Sequence, residues 1–144
     1  MCFVSGEPLA ISAMSDEQFL DFANEMYVFV VEEAYVWELP RGVRDLTADG
    51  YLQHGPWRPA DCSAALLVWF DAGLLELLRR WPKEGPVLGE QAGELLRSPY
   101  EWVQRDDGSM NVALLATDAG LALPAGDWVH ALDVLRLRSG QTSS

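Results

Sequence analysis

Residues 59–81 read PADCSAALLVWFDAGLLELLRRW, an almost unbroken apolar stretch that decides the fold. Before Gly73 the apolar residues recur at helical spacing, and Pro59 is typical of a first helical turn. Asp61 and Ser63 carry oxygen atoms that could cap this turn. Gly73 suits the left-handed conformation in which helices end, and the leucines after it predict a strand buried on both faces. The helix should bury Ala65, Leu66, Trp69 and Phe70, and the strand should contain Leu74, Leu75, Leu77 and Leu78.

The same residues also fit one continuous helix. Its apolar stripe would run from Leu66 to Trp81, with Glu76 and Arg80 as an i, i+4 pair. A glycine inside a helix costs about 1 kcal/mol relative to alanine, which a buried helix tolerates. The sequence favours a break at Gly73 and leaves the continuous helix open.

The negative charge of the chain is concentrated towards the N-terminus. The chain has 144 residues, enough for one domain with a substantial core, and 49% of them are hydrophobic. Its 22 acidic residues against 10 Lys and Arg give a net charge of -12. The first 40 residues contain no Lys or Arg but eight acidic residues: Glu7, Asp16, Glu17, Asp21, Glu25, Glu32, Glu33 and Glu38. Such a surface repels phosphate backbones and attracts basic partners.

The cysteine content and the apolar segments predict a cytoplasmic bacterial protein. Cys2 and Cys62 form no ligand spacing and are expected to be free thiols. No apolar run reaches the roughly 18 to 20 residues that cross a bilayer, and the first residues lack the basic region of a secretory signal. We expect residues 1–13 to be a flexible extension, because Met14-Ser15-Asp16 resembles a natural protein start. Residues 14–138 should form one globular domain, and residues 139–144 a disordered tail.

A long helix is predicted from Ser15 to about Trp37. Ser15 and Gln18 have the spacing of a capping box, and Met14 and Phe19 that of a hydrophobic staple. Pro40 ends the helical pattern. The inner face should contain Phe19, Phe22, Ala23, Met26, Val30 and Trp37, and the outer face Asp21, Glu25 and Glu32.

The remaining segments are shorter. Val43–Leu52 is predicted to be one short helix, and residues 53–59 (QHGPWRP) a turn-rich link. Residues 82–86 should form a loop, and residues 88–96 a helix that ends before Pro99. We predict a hairpin from strands at residues 100–104 and 111–117, with its turn at Asp106-Asp107-Gly108-Ser109. A last helix should run from Asp127 to Arg138, burying Trp128, Ala131, Leu132 and Leu135, with Arg136 and Arg138 favourably placed near its C-terminal end.

The order helix, glycine, strand and hairpin, closed by LLATDAG at residues 114–120, resembles a winged helix-turn-helix domain. The resemblance covers Ala64–Arg80 and Trp102–Gly120. It implies an α+β fold: a winged-helix-like core of three helices with a small antiparallel β-sheet and extra helices. The segments FDAGLLEL (residues 70–77) and ATDAG (residues 116–120) also resemble those of small actinobacterial proteins, and this resemblance implies no activity.

To read DNA, such a domain needs hydrogen-bond donors on its recognition helix, and residues 60–72 lack them. The helix before the first wing strand normally enters the major groove and reads base edges with Arg, Lys, Asn or Gln. Residues 60–72 contain none of these but do contain Asp61 and Asp71, and the predicted wing tip is Asp106-Asp107. The pattern favours a winged-helix architecture used for protein contacts.

No motif for catalysis, cofactor binding or metal binding is found in the sequence. His54 and His130 lie outside any metal-ligand spacing, and nucleophile-elbow, phosphate-loop and dinucleotide motifs are missing. Glu32 and Glu33 point in different directions on a helix, and Asp106-Asp107 is typical of a turn. We therefore predict no enzyme, no cofactor and no metal site.

The leading prediction is a non-enzymatic, acidic protein–protein interaction module that binds a basic protein, as an immunity protein, an antitoxin or a regulatory adaptor does. Asp21, Glu25 and Glu32 should face the partner, and Trp57, in the loop HGPWRP, should be the exposed apolar contact. One alternative is a dimeric winged-helix regulator that binds DNA through Arg79, Arg80, Lys83 and Arg105. Another is an acidic DNA mimic of the anti-restriction kind. The sequence leaves the oligomeric state open, a homodimer included.

Overall fold

Helices cover most of the chain, and two small antiparallel sheets complete an α+β fold, as predicted. The computed structural model describes residues 9–80, 83–108 and 110–142, with side chains up to residue 137. The helices are α1 (Asp16–Val31), α2 (Pro59–Asp71), α3 (Gly89–Arg97), α4 (Asp118–Leu121), α5 (Ala125–Ala131) and α6 (Asp133–Thr142). The strands are β1 (Val43–Thr47), β2 (Gly50–His54), β3 (Leu75–Arg79), β4 (Gly85–Val87) and β5 (Val112–Ala116), and 3-10 turns occupy Ile11–Ala13, Val36–Arg41 and Pro99–Glu101.

Helix α1 begins as predicted and ends earlier. The Ser15 hydroxyl accepts from the Gln18 backbone N–H at 3.1 Å, and the Gln18 side chain accepts from the Ser15 N–H at 2.8 Å. The helix stops at Val31, because the next residues leave it to join a sheet: Tyr35 bridges Ala113 of β5. Trp37, predicted on the inner face of α1, therefore lies in the following 3-10 turn. Phe19, Phe22, Ala23, Met26 and Val30 are buried as predicted.

Helix α2 and strand β3 separate at Gly73, which confirms the predicted break. Gly73 has a φ of 77°, and the Leu74 N–H closes the turn on the Trp69 carbonyl at 2.9 Å. Pro59 occupies the first turn as expected, but no side chain caps it. Instead, Asp61 accepts from the Ile11 N–H at 3.2 Å, and Ser63 donates to the Leu96 carbonyl at 2.5 Å. Both side chains join α2 to its neighbours, so the predicted capping role was wrong.

The main sheet has the order β4-β3-β5, with all pairs antiparallel. Leu75 and Leu77 of β3 are buried, while Glu76 is exposed and Leu78 half-buried, so the prediction of burial on both faces was wrong. Strand β4 occupies part of the predicted loop at 82–86, of which residue 82 lies outside the described residues. Residues 100–104 form no strand, because a 3-10 turn and the bond from the Trp102 indole to the Leu95 carbonyl (2.9 Å) direct this segment along α3. Gly108 takes a positive φ of 73° as predicted, whereas Ser109 lies outside the described part of the chain.

A second sheet replaces the short helix predicted for Val43–Leu52. Strands β1 and β2 pair over five residues each, from Val43↔His54 to Thr47↔Gly50, so only Ala48 and Asp49 form the turn. Gly50, with a φ of 140°, supplies the backbone freedom that this tight turn requires. We call residues 43–54 the β1–β2 hairpin.

The core lies between α1, α2, the main sheet and α5. Trp69 and Trp128 pack edge-on with ring centroids 5.1 Å apart, and the Trp69 indole donates to the Trp128 carbonyl at 2.9 Å. The Trp128 indole in turn donates to the Gly120 carbonyl at 2.9 Å. Fully buried side chains of this core include Phe22, Met26, Leu66, Trp69, Leu75, Leu77, Leu114 and Trp128.

Near both ends of the domain the secondary structure differs from the prediction. The single helix predicted from Asp127 to Arg138 is two helices, α5 and α6, which meet at Leu132. Arg136 lies in the first half of α6, not near a C-terminal end, and bonds Asp16, the first residue of α1, at 2.5 Å. Helix α6 extends to Thr142 into the predicted tail, and residues 143–144 lie outside the described residues. Of the predicted N-terminal extension, residues 1–8 also lie outside, while Ile11 is buried against the domain. No helix in the described ranges has the length and hydropathy to cross a membrane.

Candidate interaction surface

Helix α1 and the β1–β2 hairpin lie side by side, and their acidic residues meet at the contact. Asp21 and Glu25, one helical turn apart on α1, are half-buried and do not simply project into solvent as predicted. The reason is His54, the last residue of β2, which packs between them and Asp45 of β1. We call Asp21, Glu25, Glu32, Asp45, Leu52 and His54 the α1–hairpin surface.

His54 is held by a carboxylate at each ring nitrogen. Its Nδ1 lies 2.8 Å from Asp21 Oδ1, and its Nε2 lies 3.0 Å from Asp45 Oδ2. Carboxylates only accept hydrogen bonds, so both contacts are satisfied together when both nitrogens carry protons. Burial lowers the pKa of His54, but the bond to Asp21 and the charges of Asp21, Glu25 and Asp45 outweigh burial and hold this pKa above its usual value. The geometry suits an imidazolium held between one carboxylate of α1 and one carboxylate of β1.

Glu25 is the carboxylate of this cluster without a direct bond. It forms no hydrogen bond or ion pair with any residue that the structure describes, although the cluster atoms lie within 4.8 Å of one another. Burial raises the pKa of Glu25; His54 opposes this effect, and Asp21, Asp45 and Glu32 add to it. The folded chain therefore favours the ionisation of Glu25 less than water does.

Asp21, Glu25 and His54 are also residue types that bind transition-metal ions. A metal bound through the imidazole requires a ring nitrogen without a proton. Here each ring nitrogen already faces a carboxylate at hydrogen-bond distance. We therefore describe the group as an ion-pair cluster and assign it no ligand role.

The hairpin beside this cluster exposes large apolar side chains. Leu46 is 88% exposed, Tyr51 55% and Leu52 58%. Leu46 and Tyr51 are directly opposite each other on one face, where the Arg44 guanidinium lies 4.4 Å from the Tyr51 ring centroid. Leu52 is opposite Asp45, on the same face as His54. Leu46 and Tyr51 therefore lie on the face opposite to the cluster, and Leu52 lies beside it. Single exposed apolar residues are common, but three on one short hairpin mark the hairpin as a candidate contact element.

The acidic residues at the two ends of α1 differ in their pairing. Glu32 is exposed as predicted and has no ion pair in the described ranges. Glu33, by contrast, pairs with Arg80, and Asp16 pairs with Arg136. Arg80, one of the basic residues proposed for DNA binding, is thus paired with Glu33, and its guanidinium also lies 3.9 Å from the Glu84 carboxylate.

The predicted exposure of Trp57 was wrong. Trp57 is only 7% exposed, and its ring packs edge-on against Phe22 of α1 with centroids 5.3 Å apart. Its backbone N–H donates to the Pro40 carbonyl at 3.0 Å, which folds the loop HGPWRP back onto the domain. Trp57 supports the base of the hairpin from inside, and the exposed apolar residues are on the hairpin itself.

A second concave region lies on the other side of the 3-10 turn at Val36–Arg41. This cleft of about 300 Å³ is lined by Trp37, Arg41, Tyr100 and Trp102 among three prolines. The Arg41 guanidinium covers the Trp37 ring at 4.8 Å. The lining contains no histidine, carboxylate or thiol, so it offers no acid–base or nucleophilic group.

The sequence could have revealed the hairpin but not the cluster. Asp49-Gly50, at the junction of the two strand segments, is a common hairpin signal that the helical interpretation overlooked. By contrast, His54 is 33 residues from Asp21, and only the tertiary fold brings them together. Comparison of the chain with protein-family models, curated proteins and solved structures gives no match.

Proposed function

We propose that this chain is a non-enzymatic, acidic interaction module that binds a basic protein through the α1–hairpin surface. The observation that carries the proposal is the exposure of Leu52 on the hairpin face that also carries Asp45 and His54, next to Asp21 of α1. Protein interfaces combine a desolvated apolar anchor with charged groups that set orientation and partner choice. Immunity proteins, antitoxins and regulatory adaptors work in this way, and we propose a cytoplasmic role of that kind.

The charge distribution supports a basic partner. With a net charge of -12, two copies of this chain repel each other, whereas a positively charged partner is attracted over a distance of about one Debye length. Glu32 would extend the acidic surface along α1 beyond the hairpin. The partner would thus be steered by the acidic residues of α1 and held by Leu52 of the hairpin.

The test is affinity capture from the source organism with matched variants. The double variant Glu32→Lys with Leu52→Asp changes two exposed side chains of the surface and should lose the partner that the wild-type chain captures. The control, Glu90→Lys with Leu88→Asp, makes the same changes next to α3, where both residues are also exposed, and should retain it. The captured protein should be basic, and its purified form should associate more slowly as salt is added. Equal capture by both double variants, or an acidic partner, would refute the proposal.

A further inference from the structure

The cleft lined by Trp37, Tyr100 and Trp102, here called the aromatic cleft, has walls of aromatic rings and prolines. Trp102 is buried, whereas Tyr100 is 74% exposed and presents its ring to solvent. The backbone around the rings is stiff, because three prolines with a fixed φ belong to the lining: Pro40, Pro59 and Pro99. A volume of about 300 Å³ is at the lower end of the range for ligand pockets and suits a short peptide segment.

The side chains of this lining donate hydrogen bonds but hardly accept them. The Trp37 indole nitrogen is buried and has no acceptor among the residues that the structure describes, and native chains leave few such groups unsatisfied. The Trp102 indole, in contrast, already donates to the Leu95 carbonyl. Apart from the Tyr100 hydroxyl, the side chains described in the lining cannot accept a hydrogen bond. A ligand that matches the cleft therefore supplies acceptors and carries few donors.

The charge of the aromatic cleft is opposite to that of the chain. The Trp37 ring is stacked on Tyr35 with centroids 5.9 Å apart, and the Arg41 guanidinium lies 4.8 Å from its centroid. Arg41 is exposed and forms no ion pair with any described residue, although the net charge of the chain is -12. This guanidinium can turn to a carboxylate of a ligand without breaking an ion pair. A lysine-rich segment, in contrast, would bring a like charge against it.

We propose that the aromatic cleft binds a proline-rich segment of a partner protein, next to an acidic residue that pairs with Arg41. Proline has no N–H, so a polyproline II segment offers free carbonyl acceptors and few competing donors. Aromatic-lined grooves bind such segments, whose preformed helix loses little entropy. One carbonyl would accept from the Trp37 indole, while proline rings pack on Tyr100 and Trp102. This site is separate from the α1–hairpin surface and extends the chain's contacts beyond the proposed function.

The first test follows the indole protons by NMR as a peptide is added. The probe is an acetylated and amidated octaproline that ends in glutamate, and in the control peptide glycine and serine replace the prolines. The Trp37 signal, assigned with Trp37→Phe, should move downfield and saturate, because its proton gains an acceptor. The Trp128 indole already donates to the Gly120 carbonyl at 2.9 Å and should not move. An unchanged Trp37 signal, or the same change with the control peptide, would overturn the proposal.

Affinity of variants gives the second readout. Tyr100→Ala should weaken binding of the proline peptide about fivefold or more, the loss typical of an aromatic residue at an interface hot spot. Tyr51→Ala removes a ring of the hairpin that is 55% exposed, and it should bind the peptide as the wild type does. Urea midpoints check that both variants are folded. Equal weakening in the two variants would show non-specific contact and would rule out the cleft.

The charge of the ligand is tested by exchanging the terminal glutamate of the probe for lysine. Arg41→Gln should weaken binding of the glutamate peptide more than that of the lysine peptide. Arg97→Gln removes an exposed arginine of α3 outside the lining and should change this ratio much less. An equal change in both variants would mean a diffuse effect of charge and would refute the pairing with Arg41. A Trp37 signal that moves with protein concentration alone would place a second copy in the cleft and refute the proline-rich ligand.

Discussion

His54 links the hairpin to α1 through its charge, so its contribution to stability depends on pH. Its pKa is raised in the folded chain above the ordinary value of 6.5. A group with a raised folded pKa stabilises the fold fully below its unfolded pKa, and this contribution is lost as the pH rises through the folded pKa. The clamp on Asp21 and Asp45 therefore weakens at alkaline pH.

We expect His54→Gln to destabilise the chain more at about pH 5.5 than at about pH 8.5. The measurement is the urea midpoint of wild type and variant at both pH values, with His130→Gln as the control for an exposed histidine. A destabilisation that is larger at alkaline pH would contradict the clamp.

Glu25 should respond in the opposite direction. Because burial raises its pKa, the folded chain disfavours the charge that Glu25 carries at neutral pH. Glu25→Gln should therefore raise the free energy of unfolding at pH 7 by up to about 1 kcal/mol, a small amount because water screens this half-exposed group. Glu94→Gln, an exposed change on α3, is the control. A clear loss of stability in Glu25→Gln alone would show that the carboxylate stabilises the folded chain.

Cys62 is chemically protected by its environment. The thiol is fully buried on α2, and burial, followed by the neighbouring Asp61, raises its pKa far above the usual range. The thiolate is the reactive form, so in a Cys2→Ser background the chain should react with a disulfide reagent only as fast as it unfolds. The measurement is the labelling rate with and without urea; fast labelling of the native chain would contradict the burial of α2.

At the scale of elements, the hairpin is closed by two glycines. Gly42, with a φ of 79°, precedes β1, and a Cβ at this position would lie 2.3 Å from the His54 carbonyl oxygen and 3.0 Å from the Gly55 Cα. The backbones at the two ends of the hairpin therefore touch. This contact and the His54 clamp connect the hairpin to the rest of the domain.

We expect Gly42→Ala to lower the free energy of unfolding by about 1 kcal/mol or more, because alanine would be forced into a positive φ against a neighbouring backbone. Gly126→Ala is the matched control: a Cβ there meets no atom within 4 Å, and α5 should gain roughly 0.5 kcal/mol or more. Urea midpoints of the two variants check both signs. Similar midpoints would mean that the base of the hairpin is looser than the structure indicates.

The elements that sequence predicted correctly are those whose signals are local. The capping box at Ser15, the positive φ at Gly73 and the helix at 89–97 each depend on residues within one or two turns. The end of α1, strand β4 and the split between α5 and α6 depend on distant contacts, such as the bridge from Tyr35 to Ala113 and the bond from Arg136 to Asp16. Long-range pairing overrides local preference at such positions.

The candidate site was predictable only in part for the same reason. The acidic face of α1 follows from its spacing, so Asp21, Glu25 and Glu32 could be named in advance. Their pairing with His54 and Asp45 depends on how the hairpin packs, and the burial of Trp57 depends on the return of its loop to Phe22. The resemblance to a winged-helix domain stays a prediction.

For the whole molecule, net charge acts against folding and in favour of binding. The net charge of this 144-residue chain is -12, so its negative side chains repel one another in the compact state. The ion pairs of the described residues, such as that of Arg80 with Glu33, are few. We expect the melting temperature to rise between about 20 mM and about 500 mM NaCl, because salt screens this repulsion. The association rate with the partner should fall over the same range. A melting temperature that falls with salt would indicate that attractive pairs dominate the folded chain.

The turn at Ala48 and Asp49 has a practical consequence. Both residues are exposed, and the five paired positions on either side form a complete ladder without them. Foreign peptide placed between these two residues would leave that ladder and the glycine closure at its foot intact. The hairpin tip is therefore the natural graft point for an affinity tag or a spectroscopic label, and a graft there would sit next to whatever docks on the hairpin.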